Sequence, residues 1–211
     1  MTLPAAATSY TPPKRDVNGR AFPSGPKRML TAGVDLAFVN DGCALVLIER
    51  FADRIVVPDF DLLQPKPGRP LEPVTTCDAF CARIAAAGCK YVVTDVHYLE
   101  LMRQAANRNG LALQVAPSGD ARTQAFITLR HYTRARTIRL PKAIVDHLRP
   151  IELHAQPGGN VSIRAPRTPG TNHSDLSFAL TAALYSDTQR HGVLGLTPLR
   201  PMSHRGGWTT P

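Results

Sequence analysis

The chain has 211 residues, enough for one domain with a real core and no need of disulfides or a structural metal. Lys and Arg number 25 against 16 Asp and Glu, and the formal charge of +9 points to a polyanionic partner, most simply nucleic acid. No apolar run is long enough to span a membrane, and the first residues lack a signal peptide's charged start and apolar stretch, so a non-secreted, cytoplasmic protein is expected.

The charge is unevenly placed. Residues 1–28 carry five basic groups and one acid, residues 119–142 six and one, and residues 190–211 three and none. The remainder is slightly acidic. Residues 1–28, rich in Pro, Ala, Ser and Gly without periodicity, read as a disordered basic arm. Order is expected from Met29. Met29–Ala37 reads as a strand, Asn40-Asp41-Gly42 as a turn, and Cys43–Arg50 as a second apolar strand. Arg54–Leu63 gives a third, which completes an antiparallel meander. Pro65, Pro67, Pro70 and Pro73 then impose a loop.

From residue 74 the pattern changes. Thr75–Gly88 predicts a helix, Tyr91–Asp95 a buried strand, Tyr98–Asn109 a helix ending at Gly110, and Leu111–Val115 a strand. Alternation of strand and helix is the mark of parallel crossovers. The expected fold is therefore α/β, a mixed sheet of about five strands, meander plus parallel strands, flanked by helices. Residues 121–134 predict a further helix, 151–156 and 161–165 a hairpin, and Ser174–Gln189 a buried helix. The domain is expected over 29–190, with a flexible tail over 191–211. Cys43, Cys77, Cys81 and Cys89 form no CxxC pair and have no histidines at zinc-site spacing, so they read as buried free thiols.

Three aspartates occupy distinctive places. Asp35 interrupts the first apolar strand, Asp95 ends the parallel strand, and Asp175 opens the last buried helix. An ionised carboxylate among apolar neighbours is costly unless it is paired or binds a cation. Gathered together, the three would form an oxygen-only cluster suited to Mg²⁺ or Mn²⁺. An aspartate at a helix start also serves as a cap, and one at a strand end also faces a loop, so each position alone has a structural explanation. Asp41, Asp59, Asp61 and Asp120 are reserve ligands that read more simply as surface turn residues. His97 and His173 are the titratable groups near the cluster.

The succession Gly-Val-Asp35-Leu-Ala, Asp95 at the end of strand four, and Asn-His173-Ser-Asp175 at a helix start resembles the ribonuclease-H-like nuclease domain of phage terminase large subunits. The resemblance covers roughly residues 30–188. It implies that Asp35, Asp95 and Asp175 are the metal-binding, catalytic carboxylates of an endonuclease that cuts concatemeric viral DNA. Two Mg²⁺ or Mn²⁺ ions would be held, with Asp35 bridging them and His173 beside the scissile phosphate. Double-stranded DNA, a packaging ATPase, the portal and the small terminase subunit are the implied partners, in the cytoplasm of an infected bacterium. No Gly-x-x-x-x-Gly-Lys-Ser/Thr phosphate loop occurs, so motor function is not carried over, and residues 1–28 fit the remnant of an interdomain linker.

Arg122, Arg130, Arg134, Arg136, Arg139 and Lys142, with Arg164 and Arg167 at the exit of the hairpin, are expected to grip DNA phosphates and lead them to the acidic centre. Two other readings stay open. One is a different ribonuclease-H-like enzyme such as a junction resolvase or integrase. The other is a non-catalytic DNA-binding or docking module of a packaging assembly.

Overall fold

A computed structural model describes residues 29–39, 41–155, 161–165 and 174–194. The expected basic arm, most of the expected tail, Arg167 and His173 lie outside the described residues. β1 (Met29–Asp35), β2 (Cys43–Arg50) and β3 (Ile55–Leu63) form the meander, followed by α1 (Pro73–Ala86), β4 (Tyr91–Thr94), α2 (Leu99–Arg108) and β5 (Ala112–Val115). Next come α3 (Gly119–Arg134), β6 (Ile138–Arg139), α4 (Lys142–Leu148), the hairpin β7 (Glu152–Ala155) and β8 (Val161–Arg164), and α5 (Asp175–His191). The main sheet has the order β5-β4-β1-β2-β3-β6, and β7 and β8 form a separate pair. β1, β4 and β5 run parallel, while β2 is antiparallel to both neighbours. The sheet thus has six strands rather than five. The sixth, β6, contributes two residues alongside Ile55 and Val56 of β3.

Strand alternation divides the core into two layers. Leu30, Ala32 and Val34 of β1 and Cys43, Leu45 and Leu47 of β2 pack with Phe80 and Ile84 of α1 and Met102 of α2. On the other face, Ala44, Val46 and Ile48 of β2 meet Phe126, Leu129 and Tyr132 of α3 and Leu176, Ala179 and Leu180 of α5. All four cysteines are buried free thiols. α1 starts two residues earlier than expected, because Pro73 suits the first helical position and the Glu72 carboxylate caps the amides of Val74 and Thr75.

α5 lies directly on β1. A Cβ at Gly33 would collide with the Ala179 carbonyl and stand 2.7 Å from the Ala183 nitrogen, so only glycine permits this approach. The seat is also fixed by a buried ion pair: Arg50 Nε donates to Asp187 Oδ2 at 2.7 Å, and Arg50 Nη2 to the Gly192 carbonyl at 2.8 Å. α5 continues through His191, and Leu194 is buried with its amide on the Tyr132 hydroxyl at 3.1 Å. Among the described residues no helix is long and apolar enough to cross a membrane.

Candidate active site

The register of the sheet builds the site. Val34 of β1 is opposite Thr94 of the parallel strand β4, so Asp35 and Asp95, each one residue further on, emerge side by side. Asp35 shares the face of Thr31 and Gly33, the face that α5 covers. Asp175 begins α5 one turn before Ala179, about 6 Å along the axis. The contact at Gly33 thereby brings Asp175 towards the end of β1. Its Oδ2 accepts a hydrogen bond from the Gly42 amide at 3.2 Å, in the turn between β1 and β2. A cleft of about 290 Å³ is lined by Asp35, Asp41, Asp95, His97, Arg122 and Asp175, with Phe178 on its wall.

The electrostatics follow from crowding and burial. Burial, followed by the charges of Asp175, Asp95 and Asp41, pushes the Asp35 carboxyl from 3.8 up to about 8, and Arg122 opposes the shift. Burial first, and Asp41 further, push Asp175 up to about 7 against the Gly42 hydrogen bond. Asp95 is also raised by burial, with the charge of His97 and the His97 amide, 2.9 Å from Oδ1, working the other way. Such a site holds protons near neutrality and would exchange them for cations. Its donors are hard carboxylate oxygens, which suit Mg²⁺ or Mn²⁺. Among the described residues no three metal-binding side chains already converge as a cage for a single ion.

The expected residues separate on inspection. Asp35, Asp95 and Asp175 come together, His97 joins them, and His173 lies outside the described residues. Asp41 is a wall of the cleft rather than a surface turn residue. Asp59 and Asp61 are not available as reserve ligands, because Arg83 of α1 spans both, with Nε 2.8 Å from Asp59 Oδ2 and Nη1 2.6 Å from Asp61 Oδ2. Asp120 is exposed in the first turn of α3 and does not line the cleft.

Of the described members of the expected basic set only Arg122 lines the cleft, with its guanidinium 5.8 Å above the Phe178 ring. The other described members lie elsewhere. Arg134 stands twelve residues along α3, about 18 Å from Arg122. Arg130 borders a second groove between α3, α4 and the hairpin. Arg136 follows α3 in a left-handed conformation, Arg139 lies on β6, and Arg164 is exposed on β8. Lys142 pairs with Asp146 at 2.5 Å. Gly42 and Phe178 were not anticipated. The signal for Gly42 was present, since a glycine beside the turn leaves room for the Asp175 carboxylate that a Cβ would crowd at 3.1 Å.

A parallel strand pair ending in carboxylates, a meander beside it and a helix seated on the first strand define a ribonuclease-H-like α/β domain. More narrowly, the chain has the fold of phage large terminase nuclease domains. The HK97 bacteriophage large terminase aligns at TM-score 0.64 and 16% identity over 82% of this chain and 40% of the terminase. The chain thus spans less than half of that protein. The large terminase nuclease from thermophilic phage G20c with bound magnesium aligns at TM-score 0.60 and 19% identity, over 77% of this chain and 82% of the nuclease. A mutant nuclease domain of the large terminase subunit of bacterial virus Sf6, with manganese and beta-thujaplicinol, aligns at 0.56 and 12%, over 76% and 89%. No protein-family model matches the sequence, and no curated protein matches it significantly.

Proposed function

We propose that this chain is a divalent-metal-dependent endonuclease that cuts double-stranded DNA during viral genome packaging. The observation that carries the reading is one cleft lined by Asp35, Asp95 and Asp175, carboxylates from three separate elements, in a fold shared with terminase nucleases. Asp35, central and the most strongly raised of the three, is the natural bridge between two ions, with Asp95 and Asp175 each completing one. Bound Mg²⁺ or Mn²⁺ would supply an activated water and charge stabilisation at the leaving oxygen. The protein's own tasks are distinct. Asp35 and Asp175 give up protons on loading, and Arg122 faces the entering phosphate with a charge that Phe178 helps to position. His97 holds Asp95 in orientation through its amide. His173 keeps its place in the proposal as the group beside the scissile phosphate.

The more distant basic groups, Arg130 to Lys142 and Arg164, are proposed as phosphate contacts along an approaching duplex. A packaging ATPase, a portal and a small terminase subunit are the partners this reading implies, and the host cytoplasm is the place. Incubation of supercoiled plasmid with Mn²⁺ and the wild type, Asp35→Asn or Asp95→Asn tests it. Nicking and linearisation are expected for the wild type, with losses of about a hundredfold or more in each variant. Unimpaired cleavage by both variants would remove the assignment.

A further inference from the structure

Two loops stand beside the cleft, and both hold apolar side chains out in solvent. Val39 belongs to the connection after β1, and Val96 and Tyr98 to the connection after β4. They are 63%, 62% and 47% exposed. The Phe38 and Tyr98 rings meet edge to face with centroids 4.7 Å apart, which ties the two loops together. Tyr98 has φ +58°, a left-handed conformation that a bulky side chain rarely adopts. Such a conformation persists where surrounding contacts enforce it, and the Phe38 ring is one such contact. Asp41, Asp95 and His97, on these same two loops, line the cleft. Isolated exposed apolar residues carry little meaning. Here three of them lie on two loops whose other residues, Asp41, Asp95 and His97, line one charged cleft.

We propose that Val39, Val96 and Tyr98 form an apolar seat for the sugar faces and base edges next to the phosphate held in the cleft. This inference rests on the nuclease reading above. Phosphates are the charged part of DNA and suit Arg122, whereas the deoxyribose faces and base edges are the parts an apolar ridge can cover. The ridge thereby adds affinity that does not depend on charge, at the point where the carboxylates repel the backbone.

That distinction supplies the test. Fluorescence anisotropy measures binding of a labelled random-sequence duplex in calcium, across a series of KCl concentrations, for the wild type, Val39→Ser/Val96→Ser and Arg122→Ala. The double valine variant is expected to bind roughly tenfold more weakly or worse, from two lost apolar contacts. The slope of log affinity against log salt should stay unchanged, because no phosphate contact is lost. Arg122→Ala should reduce that slope by about one unit. Val39→Ile/Val96→Ile, which keeps the apolar surface, should bind as the wild type does. Unchanged affinity in the serine variant, or a loss accompanied by a changed slope, overturns the seat. If affinity is unchanged, the ridge is instead a surface for a protein partner. Urea midpoints matching the wild type exclude misfolding as the cause. Plasmid cleavage in Mn²⁺ is scored separately. Duplex binding without cleavage overturns the nuclease reading and leaves the seat standing, whereas no binding by the wild type overturns both.

Discussion

Gly33 and Ala179 meet where the sheet and α5 are in backbone contact, and the meeting depends on a missing methyl group. A Cβ at residue 33 would overlap the Ala179 carbonyl and approach the Ala183 amide. Both obstacles are main chain and cannot rotate away. Gly33→Ala is therefore expected to cost about 3 kcal/mol or more, measured by urea unfolding. Because Asp175 lies one turn from Ala179, cleavage should fall together with stability. A variant as stable as the wild type would contradict the seat described for α5.

The acidic cleft predicts an unusual pH dependence. Asp35 and Asp175 are pushed from 3.8 to about 8 and about 7, so between these limits the folded protein holds protons that the unfolded chain has released. Their contribution to stability is then fully present below about pH 4 and is lost as pH rises through 7 and 8. In EDTA, the wild type should lose stability from pH 5 to pH 8 relative to Asp35→Asn, whose side chain stays neutral. Mn²⁺ should stabilise the wild type strongly at pH 8 and little at pH 5, where protons compete for the same oxygens. Parallel pH curves for the two proteins in EDTA would refute the arrangement.

Asp41 offers a finer probe. Its charge raises both Asp35 and Asp175. Asp41→Asn should lower both, so the rise of cleavage with pH should move towards acid. Asp59→Asn, at a carboxylate held by Arg83, should leave the pH profile in place. Cleavage by the two variants from pH 5.5 to 9 in Mn²⁺ compares them directly.

The ion pair of Arg50 and Asp187 is almost wholly buried, with 5% and 0% of the side chains exposed. Asp187→Ala leaves a guanidinium without its partner and is expected to cost about 3–5 kcal/mol by urea unfolding. Arg50→Met/Asp187→Leu removes both charges and should be far closer to the wild type. Equal losses in the single and double variants would show that shape, not charge, governs the site.

The meander and the parallel strands were legible because alternation and short apolar runs bounded by Gly and Pro are local signals. Asp35, Asp95 and Asp175 stood out in the sequence because each breaks, ends or opens an apolar element. β6 escaped because two residues carry no periodicity and owe their pairing to Ile55 and Val56. Asp41 was hidden behind a turn signal that fits any surface loop. The Arg50–Asp187 pair joins residues 137 apart in sequence, and nothing local marks either as buried. Nothing local marks Arg83 either, yet it takes up two of the carboxylates named as reserve ligands.

β3 is only briefly covered by β6, at Ile55 and Val56. Beyond Val56 its outer edge has no strand partner among the described residues, which is ordinarily an invitation to stack chain upon chain. Pro58 offers no N–H there, and the pairing with β2 shifts between Leu47 and Glu49. With no donor at Pro58 and an irregular pairing behind it, this edge is a poor template for a second chain's strand.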